Sequence, residues 1–247
     1  MARIFRTPTG YVVEQDGAHR ALEGDLFGQW RAGADVAAPT TVLAPVFPSK
    51  IVCIGLNYKD HAAEQGKPLP AEPLIFLKPS SAIVNPGEAI VLPAGVGRVD
   101  YESELAVVIG RRATRVSESD ALSCVLGLTC MNDVTARDLQ KKDGRYTRAK
   151  GFDTFAPLGP CITTGLAPDD LAVTGLLNGE VRQQSSTREL IFPVATLIAY
   201  ISRIMTLLPG DIVSTGTPAG IGALQAGDHV VVRVQGIGDL RNPVVDR

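Results

Sequence analysis

The apolar segments of this chain are short, and nearly every one is stopped by glycine, proline or a polar cluster. Residues 51–56, 74–77, 105–109 and 124–131 each have the length of a buried strand and fall short of an ordinary core helix. The 25 glycines and 17 prolines supply the punctuation between them. Hairpin signals recur. Residues 10–14 run into the turn Gln15-Asp16-Gly17, and Asn178-Gly179 separates two apolar runs, the sequence that a two-residue hairpin loop prefers. The alternating stretch 228–234 reads as a further strand. Helical patterns are few. One spans 193–208, opened by Pro193 and closed by Pro209-Gly210-Asp211. A short one carries His61 and Glu64, and another starts within 134–141 with Thr135 as its cap. The polar run 141–145 reads as an exposed loop. This pattern predicts an α+β chain, mostly β, built on a mixed sheet. Residues 1–48 form a small N-terminal β-rich appendage and proline-punctuated connector, and residues 49–247 form the main body.

Composition narrows the function classes. A chain of 247 residues that is 45% hydrophobic buries an ordinary globular core. A net charge of −2 offers nothing to nucleic acid or an anionic membrane, and 5% aromatic residues leave little to stack single strands. Cys53, Cys124, Cys130 and Cys161 lie in or beside apolar runs with no Cys-x-x-Cys pair, so buried free thiols are expected. With only three histidines, far apart, a zinc site of the His/Cys kind is not indicated. No apolar leader or membrane-length run is seen, and a cytoplasmic protein is expected.

Three carboxylates carry the chemistry. Glu102 and Glu104 sit in Asp100-Tyr101-Glu102-Ser103-Glu104, directly before the apolar run 105–109. Side chains two apart on a strand share a face, ~7 Å apart. Two carboxylates so placed repel unless a cation lies between them, and Mg²⁺ or Mn²⁺ prefers oxygen ligands. Asp133 follows another apolar run and closes the set; the alternative is a solvated edge strand. His61 and Glu64, three apart on a helix, share a face. A carboxylate that orients an imidazole makes a water-activating base, although a solvated first turn would look the same. Lys150 either reaches this site and stabilises developing negative charge or is a surface lysine. The glycine-rich stretch Thr215-Gly216-Thr217-Pro218-Ala219-Gly220 offers backbone N–H groups and two hydroxyls to a carboxylate, or is only a tight turn. It is no dinucleotide fingerprint, and no G-x-S-x-G elbow is present.

Six segments in order give the chain a wider likeness: Gly55-Leu56-Asn57-Tyr58-Lys59-Asp60-His61-Ala62-Ala63-Glu64; Phe76-Leu77-Lys78-Pro79; Asp100-Tyr101-Glu102-Ser103-Glu104-Leu105; Asn132-Asp133-Val134-Thr135-Ala136-Arg137-Asp138-Leu139-Gln140; Ala149-Lys150-Gly151-Phe152-Asp153; and Thr215-Gly216-Thr217-Pro218-Ala219-Gly220. Over residues 50–244 the chain resembles the fumarylacetoacetate hydrolase family, and within it the small acylpyruvate-hydrolase-like members. The resemblance implies a mixed β-sandwich roll, usually dimeric. It implies Glu102, Glu104 and Asp133 as ligands to Mg²⁺ or Mn²⁺, a His61–Glu64 dyad on a lid segment, and Lys150 beside the reacting carbonyl. Arg137, Gln140, Lys78, Thr215, Gly216 and Thr217 become candidate substrate contacts. Leu56 departs from the pattern, since many relatives place arginine there.

The implied substrate is a 2-oxo acid, and a Lewis acid on its keto oxygen lets one site serve several reactions. Hydroxide attack on a distal carbonyl cleaves an acylpyruvate to pyruvate and a carboxylic acid, which is the leading expectation. The alternative is decarboxylation of oxaloacetate, or isomerisation or decarboxylation of a 2-hydroxymuconate-type dicarboxylate.

Overall fold

A computed structural model describes residues 1–247. Its centre is strand Ser103–Ile109, every residue of which is buried. Alternation decides how: Leu105, Val107 and Ile109 enter one hydrophobic cluster, and Ala106 and Val108 enter another. A strand apolar on both sides must be covered on both sides. The neighbouring strand Ile51–Gly55 divides the same way, with Val52 and Ile54 on one face and Ile51 and Cys53 on the other.

These strands belong to an eleven-stranded sheet. From one edge it runs Trp30–Asp35, Ala18–Gly24, Gly10–Gln15, Ala2–Thr7, Ala156–Thr164, Val125–Asn132, Ser103–Ile109, Ile212–Ser214, Ile51–Gly55 and Leu74–Lys78, with Ile83–Val84 paired to Ala156–Thr164 off the main path. Most neighbours are antiparallel; Ile212–Ser214 runs parallel to Ile51–Gly55. A five-stranded sheet holds Glu180–Ser186, Ala172–Leu177, His229–Val234, Gly238–Asp246 and Ile90–Leu92. Its Val173, Val232, Val234 and Leu240 meet Val52, Leu105 and Val213 of the large sheet in a cluster of 24 buried residues. Leu197 and Ile201 of helix Val194–Ile204 join that cluster, which makes the sandwich. A small sheet of Thr135–Ala136, Val99–Tyr101 and Gly222–Ala223 closes one end.

The turn chemistry follows the residues. Asp16 and Gly17, and Asn178 and Gly179, all have positive φ, as a type I′ hairpin requires. Residues 1–48 are β-rich, and they continue the large sheet through Ala2–Thr7 paired to Ala156–Thr164. Ile4, Leu26, Ala44 and Val46 share a core cluster with Ile51 and Val108. All four cysteines are buried and free. No helix is long and apolar enough to cross a membrane.

Three local expectations are corrected. Thr135 is not a helix cap: it lies in a strand opposite Asp100, and its hydroxyl donates to the Asp133 carbonyl (2.9 Å). The helix begins at Arg137, whose N–H is taken by the Arg98 carbonyl (2.7 Å). Residues 141–143 are not loop but the last turn of that helix, Arg137–Asp143, where lysines suit the negative end of the dipole and Gly144 supplies the left-handed cap. The long helix stops at Ile204, four residues before Leu208, because Met205 is already extended.

Candidate active site

The chain changes sheets at Glu102. Val99–Tyr101 belongs to the small sheet and Ser103–Ile109 to the large one, and Glu102 is the single residue between them. Glu102 and Glu104 are therefore not two steps along one straight strand. The junction is pinned by the Glu102 N–H donating to Asn132 Oδ1 (2.9 Å) and the Asp133 N–H donating to the Glu102 carbonyl (2.9 Å). In the ladder Ser103 faces Asn132 and Glu104 faces Met131, so Asp133 emerges beside both glutamates. One carboxylate oxygen from each of Glu102, Glu104 and Asp133 lies within 4.8 Å of the others, and all three residues are buried.

Cations answer these charges unevenly. Lys150 Nζ donates to Glu102 Oε2 (2.8 Å) and Asp133 Oδ2 (2.5 Å), and Lys78 Nζ to Asp133 Oδ1 (2.6 Å). Arg137 donates through Nε to buried Asp100 (2.8 Å) and through a terminal nitrogen to Glu102. Glu104 has no cationic partner; its carboxylate accepts from the Ser214 hydroxyl and the Gly216 N–H (2.9 Å). The consequences diverge. Burial, then the charges of Asp133 and Glu102, push the Glu104 carboxyl up to about 8. Burial also works against the Glu102 anion, but Lys150 and Arg137 outweigh it and hold that carboxyl at about 2. Burial opposes the Lys150 ammonium too, yet Asp133 and Glu102 raise it above the ordinary lysine range. Lys150 is thus held as the counter-charge of Glu102 and Asp133.

This set fits a hard divalent cation. Ligand oxygens on an octahedral ion at 2.0–2.1 Å stand ~3 Å apart when adjacent and ~4.2 Å when opposite, so oxygens within 4.8 Å of one another need move inward by no more than about 1 Å each. The donors are all carboxylate oxygen, and Glu104 has no cationic partner, so burial and its two acidic neighbours disfavour its anion until a cation reaches it.

Beside the triad stands an imidazole. His61, in helix Lys59–Glu64, is buried, and its Nδ1 lies 2.8 Å from Glu64 Oε2. Glu64 is in turn held by the Gly220 N–H (2.9 Å). On the other ring nitrogen, Nε2, the Gln65 side-chain amide sits at 2.7 Å. An amide N–H can only donate, so Nε2 carries the lone pair and Nδ1 the proton. His61, Glu102, Glu104 and Lys150 line one cavity of about 250 Å³, which puts the imidazole and two of the three carboxylates on the same space. Gln65 escaped sequence reasoning, although its place four residues after His61 puts it on the same helix face.

The glycine-rich turn is tied into the strand that carries Glu104. The Thr215 hydroxyl donates to the Leu105 carbonyl (2.9 Å), and the Thr217 hydroxyl donates to the Ser103 carbonyl (3.0 Å) while accepting from Gln183 (2.7 Å). The Gly216 N–H is taken by Glu104. The Gly216 N–H orients Glu104 and the two hydroxyls brace the strand on either side of it, while Thr217 also lines the cavity. Gly216 has φ +98°, and a Cβ there would stand 2.9 Å from the Asn57 Cβ. Asn57, also unforeseen, donates to the Thr215 carbonyl (2.8 Å) and so ties the turn to the start of the His61 helix. Lys78 is likewise spent on Asp133 and the Val134 carbonyl, a support for the cluster and not a free contact. Arg137 and Gln140 do line the cavity. The Gln140 carbonyl oxygen accepts from Arg137 (2.6 Å), which leaves its amide N–H groups free to donate. Leu56 lines the cavity with φ +48°, a left-handed conformation unusual for leucine, at the bend that turns Asn57 inward.

Residues 50–245 match the family model described as fumarylacetoacetate (FAA) hydrolase C-terminal. The chain belongs to the fumarylacetoacetate hydrolase family. Within it, the mitochondrial oxaloacetate tautomerase FAHD2A of Bos taurus is 44% identical over 218 residues, covering 83% of this chain and 69% of that protein. Among solved structures, a 2-hydroxyhepta-2,4-diene-1,7-dioate isomerase from Mycobacterium marinum superposes with a TM-score of 0.90 at 42% identity, over 100% of this chain and 99% of that one. A 5-carboxymethyl-2-hydroxymuconate delta-isomerase from Mycobacterium smegmatis matches equally, at 42% identity and a TM-score of 0.90 over 100% of both chains. The family thus includes enzymes named for proton shifts on 2-oxo dicarboxylates and their enols.

Proposed function

We propose that this chain is a Mg²⁺- or Mn²⁺-dependent enzyme of 2-oxo dicarboxylates, and that its reaction moves a proton between carbon and oxygen, as keto–enol tautomerisation or double-bond isomerisation. The observation that carries the reading is the shared cavity: two carboxylates of the buried triad, a lysine paired to that triad, and a glutamate-backed imidazole with its lone pair on Nε2. The proton-shift names of relatives at 42–44% identity support it. A divalent cation held by Glu102, Glu104 and Asp133 would supply Lewis acidity to the keto oxygen of a 2-oxo acid. With the Gln65 amide displaced by substrate, His61 Nε2 takes the proton from the carbon next to the keto group, and Glu64 stabilises the imidazolium that results. The Lys150 ammonium offsets the negative charge that builds on oxygen as the proton leaves. The free amide N–H groups of Gln140 hold the substrate carboxylate.

A second reading is hydrolysis of an acylpyruvate. The dyad favours it, because a histidine oriented by glutamate equally deprotonates water for attack on a distal carbonyl. The C3–C4 bond then breaks to give pyruvate and a carboxylic acid. One experiment separates the two. Decay of enol-oxaloacetate and release of pyruvate from an acylpyruvate are followed side by side at saturating Mg²⁺. Faster enol decay with little pyruvate release supports the proton shift. Pyruvate release with enol decay at its uncatalysed rate supports hydrolysis and sinks the first reading.

A further inference from the structure

Four cationic side chains line the cavity: Lys67, Arg137, Lys141 and Lys150. Two are committed. Arg137 and Lys150 both bond to Glu102, and each reaches a second buried carboxylate. Lys67 and Lys141 take part in no ion pair and no side-chain hydrogen bond, although the other charged groups of the site are densely paired. Both are exposed, at the solvent side of a cavity whose floor is the acidic cluster.

Their backbones are fixed, so the placement is not accidental drift of a loop. Lys67 follows Gly66, whose left-handed φ of 61° ends the His61 helix, and the Lys67 N–H closes onto the Ala62 carbonyl (3.0 Å). Lys141 stands four residues after Arg137 on helix Arg137–Asp143. Residues so spaced share a face and lie about 6 Å apart along the axis, so Lys141 sits one turn outward from the arginine that touches Glu102. Leu56, Phe76 and Ile221 supply apolar lining to the same cavity.

We propose that Lys67 and Lys141 form a subsite for a second carboxylate, the one at the far end of the substrate from its 2-oxo acid head. The subsite rests on the reading of this cavity as a 2-oxo acid site, and it makes the chain selective for dianionic over neutral-tailed substrates. Two free ammonium groups attract a carboxylate that a neutral acyl tail lacks. Because both lysines are exposed, each contributes modestly, and together they give about a ten-fold preference.

The test uses a matched pair of ligands, 2-oxoadipate and 2-oxohexanoate, which differ in the distal carboxylate alone. Equilibrium binding to the full Mg²⁺-loaded chain is measured by calorimetry for the wild type, Lys67→Gln, Lys141→Gln and the double variant. The wild type is expected to bind 2-oxoadipate about ten-fold more tightly, each single variant to lose part of that preference, and the double variant to lose all of it with 2-oxohexanoate unchanged. No preference in the wild type, a preference that survives the double variant, or equal weakening of both ligands would overturn the subsite. Failure of both ligands to bind the wild type would instead overturn the 2-oxo acid reading beneath it. The substitutions are on exposed side chains, and unchanged melting with Mg²⁺ certifies the fold.

Discussion

Replacing Lys150 with methionine removes the one cation that bridges two members of the acidic cluster. The side chain keeps its approximate volume but loses the bonds to Glu102 (2.8 Å) and Asp133 (2.5 Å). Breaking a buried ion pair from one side costs ~3–5 kcal/mol, because the partner charge is left without compensation. Glu102 keeps Arg137 and Asp133 keeps Lys78, which places Lys150→Met near the lower end, ~3 kcal/mol. For a chain of this size, with ~2–4 °C per kcal/mol, the metal-free melting temperature falls by ~6–12 °C. The cluster has also become more negative, so a divalent cation binds it more tightly, and ligand binding restores stability in proportion to the logarithm of its concentration over Kd. The assay is thermal melting of wild type and variant in chelator and across a Mg²⁺ titration, with turnover measured in parallel. The expected result is a large loss in chelator, a smaller loss at high Mg²⁺, at least ten-fold tighter Mg²⁺ binding, and little turnover. An unchanged melting temperature in chelator, or Mg²⁺ affinity that falls, would refute the assignment of Lys150 as counter-charge to the cluster.

Three further outcomes are expected. The Glu104 carboxyl rises from 4.5 to about 8 on folding, so between those values the folded chain holds a proton that the unfolded chain has released. Metal-free stability therefore declines as pH rises through that window, while the gain in melting temperature from Mg²⁺ grows; Glu104→Gln removes both slopes, and melts at a series of pH values check it. His61→Ala lowers turnover by about 10²–10⁴-fold at saturating Mg²⁺, and a folded variant that retains full rate removes His61 as the base. A homodimer is expected from the family resemblance; sedimentation should give twice the 26.1 kDa chain mass and persist on dilution, whereas a monomer at micromolar concentration would count against it.

Much of this was legible in the residues, for physical reasons that differ from element to element. Strands such as Ser103–Ile109 and Val125–Asn132 announce themselves through the largely apolar runs 105–109 and 124–131, because they are covered on both faces. The Asn178-Gly179 turn is legible because few other residues accept positive φ at two successive positions. Glu102, Glu104 and Asp133 stand out as carboxylates against apolar runs, where solvent cannot stabilise them. The rest depends on contacts between distant segments. Nothing near Lys78 says that its ammonium meets Asp133, 55 residues on, and nothing near Gly216 says that its N–H is consumed by Glu104. The change of sheet at Glu102 is a tertiary event that spacing alone reads as one straight strand. Thr135 has a capping residue's chemistry, but pairing with Asp100 places it in a strand.

The central claim is that the triad holds a divalent cation and that this cation is what a 2-oxo acid binds. Oxalate, an unreactive mimic of the 2-oxo acid head, tests it directly by calorimetric titration of the wild type and Glu104→Gln with and without Mg²⁺. The account predicts one Mg²⁺ per chain in the wild type, oxalate binding only once Mg²⁺ is present, and loss of both in Glu104→Gln. Oxalate that binds the verified metal-free chain as well as the Mg²⁺-loaded one would contradict it.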